Sequence, residues 1–181
     1  MTGRKLGIGV ASVLIVWMSA TTANADEKIG NWTYWQNRDP MTDQLSAGAT
    51  AVGEGGAVSV KCDAPGVDSV YVQVTAKQYL GGEGGDYGHR LVRFRLDGGT
   101  PEENTWIYIK DYAFLHPGQD SANLARRIRS TAKVAFRLST FESELVDVVV
   151  NISGAQEAVD KVFLTCGPSG GAYIPLPTLP E

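Results

Sequence analysis

The chain has 181 residues, of which 43% are hydrophobic, enough for a domain with a proper core, and a formal net charge of −4. That balance argues against nucleic acid as a partner, because phosphate-binding surfaces are usually strongly basic. Two histidines and two cysteines leave little from which to assemble a metal centre.

In chain order, residues 1–25 read as a cleavable secretion signal. Arg4 and Lys5 precede an apolar run from Leu6 to Met18, and Ala23-Asn24-Ala25 supplies the small-x-small pattern accepted before Asp26. The run is shorter than the roughly 20 apolar residues of a spanning helix, and no cysteine at the cleavage point marks a lipoprotein anchor. The segment holds two positive charges and no negative ones, so its removal takes the formal charge from −4 to −6. The organisation expected is a signal at 1–25, one β-rich domain at 26–166 and a Gly/Pro-rich tail at 167–181, in a protein of the bacterial periplasm or one that is secreted.

Apolar and polar residues then alternate over several short runs, the signature of strands with one wet face. A weak strand covers Trp32 to Gln36, and clearer ones place Val58, Val60 and Cys62, then Val70, Val72 and Val74, then Val92, Phe94 and Leu96 on inward faces. Trp106 to Ile109, a weak Tyr112 to Leu115, Val134-Phe136-Leu138 and Val146-Val148-Val150 complete the set. The glycine clusters at 53–56 and 81–88 read as hairpin connections.

Two helices interrupt this pattern. Asp120 or Ser121 is positioned to cap one that lines up Leu124, Ile128 and Ala132. Ser153-Gly154-Ala155-Gln156 has capping-box spacing for a second, with Ala155, Val159, Val162, Phe163 and Cys166 on one face. The fold class expected is α+β, mainly β, with antiparallel, sandwich-like sheets and two packed helices. Cys62 lies on the inward face of its strand and Cys166 on the inward face of the last helix, so one disulfide is expected. A closed loop of roughly 100 residues would contribute up to about 4.7 kcal/mol in the chain-entropy account.

Gly167-Pro168-Ser169-Gly170-Gly171 matches G-x-S-x-G, but no helix signal or histidine follows it, so a nucleophile elbow is rejected. His89 and His116 lie 27 positions apart, without metal-ligand spacing, and the glycine loops lack the phosphate-binding lysine. No catalytic residue, metal or cofactor is expected. Glu102-Glu103 and Glu142/Glu144 read as solvated charge near turns. Arg93 and Arg95 on the outer face of one strand, Lys133 and Arg137 on another, and Arg126, Arg127 and Arg129 on the first helix form a local basic patch. Two readings of it stand side by side: a partner-binding surface, or charges paired with Asp97, Asp147 and Glu142.

The run Trp35-x-x-x-Asp39-Pro40-Met41-Thr42-Asp43, a strand ending in Cys62, Val92-Arg93-Phe94-Arg95-Leu96-Asp97 with Trp106 downstream, Ala113-Phe114, and a closing helix to Cys166 together resemble the VasI-like group of small exported proteins associated with bacterial type VI secretion. The resemblance spans residues 32 to 166 and implies a non-enzymatic periplasmic accessory protein with a strand-to-helix cysteine pair and no catalytic residues to carry over. The glycine loop at 81–88 and the Pro-rich tail depart from that pattern. The function expected is therefore that of an exported binding or accessory protein, whose partner is another protein. The alternative is a periplasmic inhibitor of a cell-wall hydrolase. For that role Ser169-Gly170-Gly171-Ala172-Tyr173 resembles the loop that lysozyme inhibitors insert, with Ser169 and Tyr173 as its contacts, and an acidic inhibitor suits a basic lysozyme.

Overall fold

The computed structural model describes residues 26–82 and 88–167. The signal segment, most of the glycine loop at 81–88, and Ser169 and Tyr173 of the tail lie outside the described residues. Ten antiparallel strands form one sheet: β1 (Glu27–Ile29), β2 (Trp32–Arg38), β3 (Leu45–Gly53), β4 (Gly56–Cys62), β5 (Val70–Ala76), β6 (Gly88–Leu96), β7 (Glu102–Ile109), β8 (Tyr112–Phe114), β9 (Lys133–Ser139) and β10 (Leu145–Asn151). Their order across the sheet is β1-β2-β3-β4-β5-β8-β7-β6-β9-β10. Two helices, α1 (Gln119–Arg129) and α2 (Ala155–Cys166), pack on it. The mainly β, antiparallel class with two packed helices is thus what forms, built from one continuous sheet that rolls back on itself.

The roll is visible at the seam between early and late strands. Glu54, in the β3–β4 turn, exchanges two backbone hydrogen bonds with Val149 of β10, both 2.9 Å. The Asn31 N–H donates to the Ser153 carbonyl at 2.9 Å, and the Trp32 indole donates to the Ile152 carbonyl at 3.2 Å. The glycines at 53–56 therefore do more than reverse the chain. A side chain on Gly53 would overlap the Val149 carbonyl, and one on Gly55 the Asp147 carbonyl, so the turn can seat on the edge of β10 only without Cβ atoms.

β3 has no counterpart among the strands read from sequence. Its inward residues are Ala47, Ala49 and Ala51, all fully buried, and alanine is depleted in strands. Their small size has a use, since α2 makes its main contact with the sheet over β3. Elsewhere the valine alternation holds: Val58 faces Val74, Val60 faces Val72 and Cys62 faces Val70 across the β4–β5 ladder. Cys62 and Cys166 are joined by a disulfide, with Cα atoms 6.3 Å apart, so the end of α2 is fixed to the end of β4.

Both helix starts differ from expectation. α2 begins at Ala155 behind Gly154, which is left-handed (φ 86°), and no side chain caps it. The reason is crowding, because Gly154 lies against the backbone of Ile29 and Gly30, where a Cβ would come 2.8 Å from the Ile29 carbonyl oxygen. α1 begins at Gln119 behind Gly118, again without a side-chain cap, and ends before Ala132.

Ser121 points inward instead of capping. Its hydroxyl accepts from the Val72 N–H at 3.0 Å and donates to the Leu115 carbonyl at 3.2 Å. β5 pairs with β8 only over Gln73–Thr75, so the Val72 N–H needs this partner. Ser121→Ala is expected to cost about 1–3 kcal/mol, the penalty for a buried unpaired donor. Urea denaturation measures it, and an unchanged midpoint would show that the donor is satisfied otherwise.

Candidate functional site

The outer face of β6, β9 and β10 carries the basic patch, and strand register determines which charges meet. Arg93 lies opposite Arg137 across β6–β9, with Glu103 of β7 opposite Arg93 and Asp147 of β10 opposite Arg137. Two like charges directly opposed would be destabilising. Each is instead held from its other side. The Arg93 Nε donates to Glu103 at 2.7 Å, and Arg137 binds Asp147 through two parallel bonds of 2.7 Å. The result is a row reading acid, base, base, acid across four strands.

The next row is Arg95, Ala135 and Val149. Ala135 is small between larger neighbours and so leaves a recess of about 290 Å³, bounded by Arg93, Arg95, Arg137, Asp147 and Val149. Arg95 is exposed and enters no ion pair among the described residues. Hydrogen bonding to Arg137 holds the Asp147 carboxyl below the usual carboxylate range, and the same bonds raise Arg137. The ion pair therefore keeps its charges across neutral and mildly acidic pH. What remains available is one guanidinium, backed by two others whose charge is already balanced.

Of the four cations read as a partner surface, Arg93, Arg95 and Arg137 come together. Lys133 lies at the start of β9, one row beyond Arg95, and does not line the recess. The cations of α1 are otherwise engaged. Arg126 hydrogen-bonds Asn123 and lies over the Phe163 ring, Arg127 pairs with Glu102, and Arg129 binds Asp160 at 2.6 and 3.0 Å.

The expected acids are partly the wrong ones. Asp147 does pair with Arg137. Asp97, however, accepts from the backbone N–H groups of Ala132 and Lys133, both at 2.9 Å, and Glu142 makes no ion pair among the described residues. Glu102 and Glu103 take those places because β7 starts at Glu102, four residues before the apolar run that announced it. Arg127 keeps the Glu102 carboxyl below its ordinary range, again mainly by hydrogen bonding.

A second recess, of about 440 Å³, lies on the outer face of β4, β5 and β8 among Lys61, Asp63, Tyr71, Gln73, Tyr112 and Phe114. Phe114 meets Tyr71 edge-on at 5.8 Å and lies tilted against Tyr112 at 6.4 Å. The Tyr71 hydroxyl donates to Asp63 at 2.8 Å. Burial first, and then that hydrogen bond and the Asp63 charge, push the phenol far above its usual range, so it stays a neutral donor. Its only sequence signal is the pair of aromatic residues at outward positions of the weak strand at 112–115.

The chain matches no family model and no curated protein. Among solved structures it is similar to the crystal structure of invasion associated protein b from Bartonella henselae, at 12% identity and a TM-score of 0.47, over 77% of this chain and 96% of that one.

Proposed function

We propose that this chain is an exported, non-enzymatic binding domain that recognises an anionic group of a partner protein at the recess formed by Arg93, Arg95 and Arg137. The observation that carries this reading is Arg95, an exposed guanidinium without an ion pair among the described residues, beside two arginines whose charges are balanced, on a chain that is acidic overall. Arginine's planar fork suits a carboxylate, which it binds through two parallel hydrogen bonds. Support for export comes from the leader-like residues 1–25 and from the Cys62–Cys166 disulfide, a bond that persists in oxidising compartments. A periplasmic location and an accessory role in type VI secretion follow from the resemblance to VasI-like proteins and belong to the same proposal.

The test uses the chain from Asp26 to Glu181 as bait in an envelope extract of the native host, beside an Arg95→Glu variant. A partner retained by the unaltered chain should be weakened roughly tenfold or more by the reversal, the scale of a lost charge-assisted hydrogen bond. Retention should also fall with added salt. Identical retention by both proteins would overturn the proposal.

A further inference from the structure

We propose that the partner segment bound at the arginine recess is an extended peptide carrying an acidic residue and, four positions away, a bulky apolar one. The inference rests on the reading of the recess given above and specifies its ligand.

The outer face of β6, β9 and β10 continues past the row of paired charges into a third row. Leu145 lies opposite Ser139 across β9–β10, and continuing the β6–β9 register from Arg93 and Arg137 brings Leu91 opposite Ser139 on the other side. Leu91 is 62% exposed and Leu145 68% exposed. Single exposed leucines are ordinary, but two lining one hollow make an apolar patch of the kind that marks an interaction site. Ser139 between them is small, so a hollow of about 330 Å³ opens there, and Arg93 and Arg137 line both it and the arginine recess. The two depressions thus lie end to end along the strand direction, as a trough crossed by the Arg93–Arg137 row, cationic at the Arg95 end and apolar at the leucine end.

Strand geometry sets the spacing of a matching ligand. Alternate residues of a strand share a face and lie roughly 6.7 Å apart, so the Arg95 row and the Leu91 row are about 13 Å apart. An extended peptide lying along the trough covers that distance with four residues, and positions i and i+4 then point to the same side. Its carboxylate would meet Arg95, and its apolar side chain would fill the hollow between Leu91 and Leu145. Charge complementarity also favours one carboxylate over a polyanion. The middle row is neutral as a whole, with Glu103 and Asp147 at its ends, and so offers no net charge to draw a second and third negative charge along it.

The test measures binding of capped, fluorescently labelled decapeptides of equal composition, with Glu and Leu either four or three positions apart in both orders, in a Ser/Gly background. One order of the four-spaced pair should bind at least tenfold more tightly than either three-spaced peptide. Arg95→Ala should abolish the difference, as should Leu91→Ser combined with Leu145→Ser. Those leucines are exposed, and far-ultraviolet circular dichroism confirms that the variants fold. Equal affinity at both spacings with continued dependence on Arg95 would overturn this inference and leave the anion-binding recess standing. Affinities that ignore Arg95 would overturn both.

Discussion

Gly55→Ala is expected to destabilise the domain by more than about 3 kcal/mol, whereas Gly98→Ala, at nearly the same backbone angle, should cost only about 1–2 kcal/mol. Gly55 has φ +76° and Gly98 φ +75°, so the intrinsic strain of placing an L-residue there is shared. Their surroundings differ completely. A Cβ on Gly98 meets nothing within 4 Å, while one on Gly55 would overlap the Asp147 carbonyl oxygen and lie 3.4 Å from the Val148 Cα. Backbone cannot swing away as a flexible side chain can. The β3–β4 turn would have to lift from β10, losing the two Glu54–Val149 hydrogen bonds and uncovering core beneath the seam. Urea denaturation of the two variants measures the contrast. Equal losses would show that the turn does not seat on β10.

Removing the disulfide should have an effect of similar size. Cys62→Ala combined with Cys166→Ala is expected to cost about 2–5 kcal/mol, lowering Tm by roughly 10 °C for a domain of this size. The bridge spans a sequence separation of 104 and both cysteines are buried. Its loss therefore combines a freer unfolded chain with a weakened junction between α2 and β4. Differential scanning calorimetry of the double variant gives the shift. A Tm within 2 °C of the unaltered chain would show that packing alone holds α2 in place.

The residues that announced themselves in the sequence are those whose side chains repeat one physical choice. Valines at alternate positions of β4, β5 and β10 can only face inward, and Cys62 and Cys166 inherit their placement from that pattern and from the helical period of α2. β3 was illegible because its inward positions were selected for smallness beneath a helix, and alanine alternation looks like no strand in particular. The helix starts failed for a related reason. Ser153 and Ser121 have capping chemistry, yet tertiary demands took precedence: close backbone approach at Gly154, and an unpaired N–H at Val72 that needed the Ser121 hydroxyl.

The candidate site divides in the same way. That Arg93, Arg95 and Arg137 share a face follows from period-two alternation. That Arg93 faces Arg137, that Glu103 balances the first and Asp147 the second, and that Arg95 is the one left over depend on register between strands distant in sequence. A single strand's pattern says nothing about its neighbour's offset.

The seam has one more consequence, for the order in which the fold can close. The first strands have their closing partners near the far end of the sequence: Asn31 with Ser153, Trp32 with Ile152, Glu54 with Val149, and Cys62 with Cys166. Until α2 docks, β1 to β4 lack the cover of their inner surface and the seam stays open. Completion of the native state therefore waits on contacts between the two ends of the described residues, the long-range kind that makes folding slow.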